Sequence, residues 1–221
     1  MAQKIKILLV DDHPLVREWL TNLLKQQPDF QVCGESGDAP EALQLIGQTQ
    51  PDIAIVDISL ASGSGIDLIK DIKSTHANVA VMVLSMHDEL LYAERALRAG
   101  AGGYIMKSEA TQKVIQAIRA VLSGETYVSP RVASLLAQKF VGGKTGKTNF
   151  SVEQLSDREL EVFQLLGRGY STRQISEHLH VGFKTVQGYS ARIKEKLNLA
   201  NINELMREAI RWQENQNKSK V

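Results

Sequence analysis

Ten residues, PDIAIVDISL at positions 51–60, constrain the fold of this chain more than any other stretch. Ile53, Ala54, Ile55 and Val56 form an unbroken apolar run, the pattern of a parallel strand covered on both faces rather than a half-exposed one. The run delivers a single carboxylate, Asp57, to its C-terminal edge. In an open α/β sheet, ligands sit in the crevice beyond the carboxyl ends of the strands. The first strand-like run, IKILLV, is closed in the same way by the acidic pair Asp11 and Asp12. Three carboxylates converging on one edge repel one another unless a cation joins them. Oxygen ligands of this kind suit a hard divalent ion, and Mg²⁺ is the expected one. One Asp after a strand would read as a cap for the helix beginning near Pro14; two strand ends doing the same read as a site.

The first 123 residues alternate between strand and helix periods. Strand-like runs fall at residues 5–10, 31–34, 53–57, 79–84 and 103–106, with helical patterns between and after them. In the first helix Leu15, Trp19, Leu23 and Leu24 form one stripe, with Arg17, Glu18 and Asn22 facing away. Alternation with short connections predicts an α/β domain, a doubly wound five-stranded parallel sheet over residues 1–123. Residues 124–150 read as a linker. Ser129-Pro130 is an N-cap followed by Pro at the first helical position, and Val132, Leu135, Leu136 and Phe140 support a short helix. The run GGKTGKTN then reads as a flexible, solvated hinge. Gly146-Lys147-Thr148 resembles the end of a phosphate-binding loop, but that motif needs glycine where Val141 stands and a strand where this chain has a helix.

Residues 151–221 form a small all-α domain. Ser156 and Glu159 make a capping box ahead of Leu160, Val162, Phe163 and Leu166, and Gly169 is a suitable stop. Ser171 starts a short helix carrying Ile175 and Leu179. After His180-Val181-Gly182 a longer helix carries Val186, Ile193 and Leu197 with Lys184, Arg192, Lys194 and Lys196 along it. A short helix, a tight turn and a longer basic helix make the helix-turn-helix plan, whose second helix enters the major groove. Charge agrees: residues 1–130 carry net −5 and residues 131–221 net +6, so a nucleic-acid partner meets the C-terminal part. The single Cys33 excludes an intrachain disulfide and is expected to be a buried structural thiol. No apolar run reaches membrane-spanning length and no signal peptide is seen, so no membrane role and a cytoplasmic location are expected.

Taken in order along nearly the whole chain, these residues resemble a two-component response regulator of the NarL/FixJ class. The matching positions are Asp11 and Asp12, Asp57, Gly65, Ser85, Tyr104 and Lys107. They continue with the run LSDRELEVFQLL, Gly169 with Ser171 and Ile175, Lys184-Thr185-Val186, Ile193 and Lys196-Leu197. Two departures stand out. Ala61 occupies a position where the family commonly has Pro, which should loosen that loop. Gly182, Gln187, Gly188 and Tyr189 stand where the family commonly has Ser, Lys, an apolar or small residue and His, which leaves the DNA target open.

The resemblance implies a flavodoxin-like receiver followed by a LuxR-type DNA-binding domain, and a transcription regulator rather than an enzyme. Mg²⁺ would be held by Asp12 and Asp57, with Asp11 behind them and the Ser59 backbone carbonyl. Asp57 would accept a phosphoryl group from a sensor histidine kinase, with Lys107 and Ser85 on the phosphoryl oxygens. Ser85 could instead cap the following helix. As Ser85 moves, Tyr104 is expected to turn inward. Double-stranded DNA with a two-fold-related site is the expected partner of a homodimer formed on phosphorylation, and RNA polymerase is a further candidate partner. The expected contacts are Lys184, Thr185, Gln187, Gly188, Arg192 and Lys196, with Gln187 reading a base and Arg192 on phosphate. Two other readings stand beside this one: a receiver that serves only as a phosphorylation-independent docking or dimerising module, and a metal-dependent phosphohydrolase using Asp57.

Overall fold

The computed structural model describes residues 4–141 and 152–218 of the chain, which divides into two compact units, Met1–Thr145 and Gly146–Val221. The proposed GGKTGKTN hinge and Gly146-Lys147-Thr148 lie outside the described residues.

The first unit is built on five parallel strands: β1 (Ile5–Val10), β2 (Phe30–Ser36), β3 (Ile53–Val56), β4 (Ala80–Ser85) and β5 (Gly103–Met106), in the order β2-β1-β3-β4-β5. The expected doubly wound sheet is therefore present. All four residues of β3 are buried, as its unbroken apolar run requires. The order reverses between β1 and β3, and it is beyond their carboxyl ends that Asp11, Asp12 and Asp57 lie. Pairing of β1 with β2 slips between Ile7 and Leu8, opposite Val32 and Gly34, leaving Cys33 in the bulge. Cys33 is consequently half-buried rather than enclosed.

The helices are α1 (Pro14–Lys25), α2 (Ala39–Thr49), α3 (Gly65–Thr75), α4 (Glu89–Ala99), α5 (Ala110–Leu122) and α6 (Pro130–Val141). In α1 the inward face runs through Leu20 and Leu24, with Val16, Trp19 and Leu23 packed beside them. Leu15, at the first turn, is 79% exposed, and Arg17 turns back instead of outward, donating to the Asp11 carbonyl. Gly65 begins α3 so close to the end of β3 that a β-carbon there would sit 1.9 Å from the Asp57 carbonyl oxygen. No other residue fits that approach.

The stretch after α5 folds back onto the sheet. Tyr127 forms a parallel bridge with Gly103, accepting from the Tyr104 N–H at 2.8 Å and donating to the Gly102 carbonyl at 2.9 Å. Ser129 caps α6 through the Val132 N–H and donates to Glu89 at 2.8 Å, and Lys139 pairs with Glu94 at 2.6 Å. Val132 is buried, while Phe140, expected on the same stripe, is 92% exposed.

The second unit contains α7 (Asp157–Gly167), α8 (Thr172–His178), α9 (Phe183–Lys196) and α10 (Ile202–Lys218). The Ser156/Glu159 capping box is formed, and Ser171 makes a second one with Gln174. Gly169 takes a positive φ of 85° just beyond α7. Phe163, Val186, Ile193, Leu197, Leu205 and Ala209 form the buried interior, with the Trp212 ring edge-on to Phe163 at 5.7 Å. Among the described residues no helix is long and apolar enough to cross a membrane.

Candidate functional site

At the carboxyl edge of the sheet, Asp11, Asp12, His13 and Asp57 each offer a ligand atom within 4.8 Å of the others. The strands deliver them: the Asp57 N–H bonds to the Val10 carbonyl at 2.8 Å and Asp11 N–H to the Ser36 carbonyl at 3.0 Å, so ladder bonds continue into the acidic residues. Lys107, the first residue after β5, places Nζ 2.6 Å from Asp11 Oδ2 and 2.6 Å from Asp57 Oδ2. Asp57 Oδ1 accepts from the Ile58 N–H at 2.6 Å. Burial, together with the Asp57 charge, raises Asp11 above the usual carboxylate range despite the Lys107 hydrogen bond. Burial would lower Lys107, but the two carboxylates outweigh it and raise it, so the lysine stays charged.

One oxygen is left over. Asp12 Oδ1 is buried and lies 2.6 Å from His13 Nδ1, yet among the described residues no group meets it with hydrogen-bond geometry. A buried carboxylate oxygen without a donor beside two further carboxylates fits a cation site of oxygen ligands. The acidic pocket is thus consistent with a metal site.

Ser85 is fully buried at the end of β4. It does not cap α4: Asp88 does, accepting from the Leu90 N–H at 2.9 Å. Its hydroxyl instead faces Tyr104, with the His87 N–H 3.4 Å away. Tyr104 is 1% exposed, and its hydroxyl donates to the His87 carbonyl at 2.8 Å. The ring lies inside, where the His87 carbonyl satisfies its one polar atom. Burial and the nearby Asp57 charge hold that hydroxyl well above its ordinary pKa, so it remains a neutral donor.

The loop after Asp57 is also firmer than its sequence suggests. Ala61 donates its N–H to the Gly37 carbonyl at 3.1 Å, a bond the family's proline could not make, and Ala39 donates to the Ser62 carbonyl at 3.3 Å. Three neighbours of the pocket carry no signal in the sequence. Arg17 donates to the Asp11 carbonyl and pairs with Glu35, His13 leans on Asp12, and His87 Nε2 lies 2.8 Å from Ser59 Oγ. His13 follows Asp12 directly in the chain, while Arg17 and His87 reach Glu35 and Ser59 only through the fold.

In the second unit α9 has two faces. Val186, Ser190 and Ile193 point into the core, while Lys184, Thr185 and Gln187 are exposed and Gly188 is half-buried. Arg192 and Lys196 are partly committed within the domain: Glu159 takes the Arg192 Nε at 3.3 Å and the Lys196 Nζ at 2.7 Å, and also accepts from the Ser156 N–H at 2.8 Å. The Arg192 guanidinium lies over the Tyr189 ring at 4.9 Å and its side chain is still 53% exposed. Burial would raise Glu159, but the bonds from Lys196 and Ser156 outweigh it and hold its carboxyl below the usual range.

A parallel sheet gathering three carboxylates and a lysine at one edge, carried in the same chain as a helix-turn-helix, defines a receiver attached to a DNA-binding module. Residues 7–119 match the response regulator receiver domain and residues 153–209 match the bacterial regulatory proteins of the luxR family. The chain belongs to the two-component response regulators of the NarL/FixJ class and is a DNA-binding regulator of that family, not an enzyme. It is similar to the oxygen regulatory protein NreC of Staphylococcus carnosus, 36% identical over 211 residues, covering 94% of this chain and 97% of that protein. The transcriptional regulatory protein DegU of Brevibacillus brevis is 31% identical over 94% of each chain. Among solved structures, RcsB of Salmonella enterica serovar Typhimurium, bound to promoter P1flhDC in the presence of phosphomimetic BeF3−, is 26% identical. It covers 92% of this chain and 98% of that one with a TM-score of 0.62.

Proposed function

We propose that Asp57 accepts a phosphoryl group from a phosphohistidine on a sensor histidine kinase, and that the resulting acyl phosphate switches dimerisation and DNA binding. The observation that carries this reading is the placement of Asp57, at the end of a fully buried strand, with Lys107 Nζ 2.6 Å from one carboxylate oxygen. An Asp57 oxygen attacks phosphorus as the bond to the histidine nitrogen breaks, and the electron pair leaves with the imidazole. Lys107 then exchanges a carboxylate for a phosphoryl oxygen, and Ser85 donates its hydroxyl to another. Asp12 and Asp57, with Asp11 behind them and the Ser59 carbonyl, are the groups that would hold Mg²⁺; a magnesium ion there supplies charge neutralisation for the phosphoryl oxygens.

The working division we propose is a receiver over residues 1–123, a linker over 124–150 and a DNA-binding domain over 151–221, supported by the two family matches. Lys184, Thr185, Gln187 and Gly188 form the face offered to the major groove, with Gln187 set to pair bidentately with adenine. Arg192 and Lys196 lie behind them, towards phosphates. A charge of +6 over residues 131–221 makes one copy a weak binder, so we infer a homodimer on a two-fold-related site. The relative solved on a promoter with a phosphomimetic supports this coupling of phosphate to DNA.

The docking-module reading differs from this one in making no use of Asp57 as an acceptor. Weighing the intact chain after incubation with magnesium and a small acyl-phosphate donor decides between them. A gain of one phosphoryl group, absent in Asp57→Asn and after chelation of magnesium, is expected. Donor turnover without an adduct would support a hydrolase, and neither adduct nor turnover would support the docking module. The Asp57→Asn variant should keep its fold but lose phosphate-dependent dimerisation.

A further inference from the structure

Phe183 opens α9 with a ring that is 49% exposed, at the end of the helix where base-reading side chains of a helix-turn-helix lie. The domain has aromatic partners for other rings: Phe163 meets Trp212 at 5.7 Å and Tyr170 meets His178 at 5.8 Å. Among the described residues Phe183 meets no other ring. Its neighbours on the open side of the helix are Lys184 and, one helical turn on, Gln187, while the buried Val186 and Ser190 border it on the core side, so the ring stands at the edge of the exposed face. An apolar ring one turn from a free amide matches the major-groove edge of an adenine–thymine step. The amide suits N6 and N7 of adenine, and the ring suits the thymine 5-methyl group, the apolar feature of that groove.

We propose that Phe183 is a specificity residue that reads a thymine 5-methyl group, at or beside the base pair whose adenine Gln187 contacts. The inference rests on the DNA-binding face described above and adds to it a contact that carries sequence information without a hydrogen bond. The ring is covered in the complex and half-open in the free chain, so part of the binding free energy comes from desolvating the ring and the methyl together.

The test uses the full chain, treated with magnesium and a small acyl-phosphate donor. A preferred duplex is first selected from a randomised pool. Each thymine in it is then replaced singly by deoxyuridine, which lacks only the methyl. Wild type should lose about fourfold in affinity at one position per half-site, the worth of one methyl-sized group. Phe183→Ala should bind the thymine and uracil duplexes alike, while Phe183→Leu should keep part of the discrimination and, by circular dichroism, both should keep the helical fold. Retention of the uracil effect by Phe183→Ala, or no sensitive thymine in a site that is nonetheless selected, overturns the role of Phe183 alone. Equal weakening of Phe183→Ala on every duplex, or a change in self-association without a change in thymine preference, also overturns it and makes the ring a protein contact. Failure to select any sequence sinks the base-reading face as a whole.

Discussion

Glu159 is held by three groups at once, the Ser156 N–H, Arg192 and Lys196, and is buried among them. Because its folded pKa lies below its ordinary value, its carboxylate contributes stability above about pH 4.3. That contribution is lost as pH falls through the depressed folded value. Glu159→Gln should therefore lower the stability of the second unit at neutral pH by about 1–3 kcal/mol and flatten its decline in acid. Urea unfolding read by Trp212 fluorescence, in a Trp19→Phe background, measures both. Equal midpoints for the two proteins at pH 7 and pH 4 would show that Glu159 is dispensable. Gln187, by contrast, is exposed and makes no demand on the fold. Gln187→Ala should cost about 1–3 kcal/mol of DNA affinity, concentrated at one base pair per half-site. A site selection that returns the parental sequence from this variant would remove Gln187 from base reading.

At the scale of an element, α9 carries a glycine where a helix does better without one. A β-carbon on Gly188 would meet nothing closer than Arg192 Nη1 at 3.8 Å, so packing does not explain the residue. Gly188→Ala should raise helix stability by about 0.5–1 kcal/mol. If the missing side chain lets the backbone approach the base edges, the same variant binds its site less tightly while melting later. Thermal unfolding and fluorescence anisotropy on one sample give both answers, and tighter or unchanged binding would leave Gly188 as a tolerated surface glycine. Gly65 is the opposite case: the start of α3 touches the Asp57 backbone, and packing alone demands glycine there. Helix α6 shows a third relation, since a stretch with linker composition becomes, through Tyr127, Ser129, Val132 and Lys139, part of the packing of the first unit.

For the whole molecule the charge division is the governing quantity: net −5 over residues 1–130 and net +6 over residues 131–221. If the acidic receiver attracts the basic second unit, it competes with DNA for the basic surface. A fragment of residues 149–221 should consequently bind DNA at least as tightly as the unphosphorylated full chain at equal protomer concentration, with the difference shrinking as salt rises. Anisotropy titrations at two ionic strengths test this. Markedly weaker binding by the fragment would argue that the receiver assists, through dimerisation, more than it restrains.

The amino-acid sequence by itself determined the architecture and the chemistry of the acidic edge. A buried parallel strand has no polar residues to spare, so Asp57 after IAIV, matched by Asp11-Asp12 after IKILLV, announced a site, and the capping boxes and turn announced the helices of the second unit. These features are legible because they rest on periodicity and near-neighbour spacing. Tertiary structure decided what depends on side chains far apart in sequence. It set Lys107 across Asp11 and Asp57, turned Arg17 back onto the Asp11 carbonyl, and buried Tyr104 against His87. It tied the loop after Asp57 to Gly37, and it drew Arg192 and Lys196 onto Glu159. Each of those depends on the register and packing of separate elements, where a shift of one residue changes every contact, and no local pattern in the chain records that register.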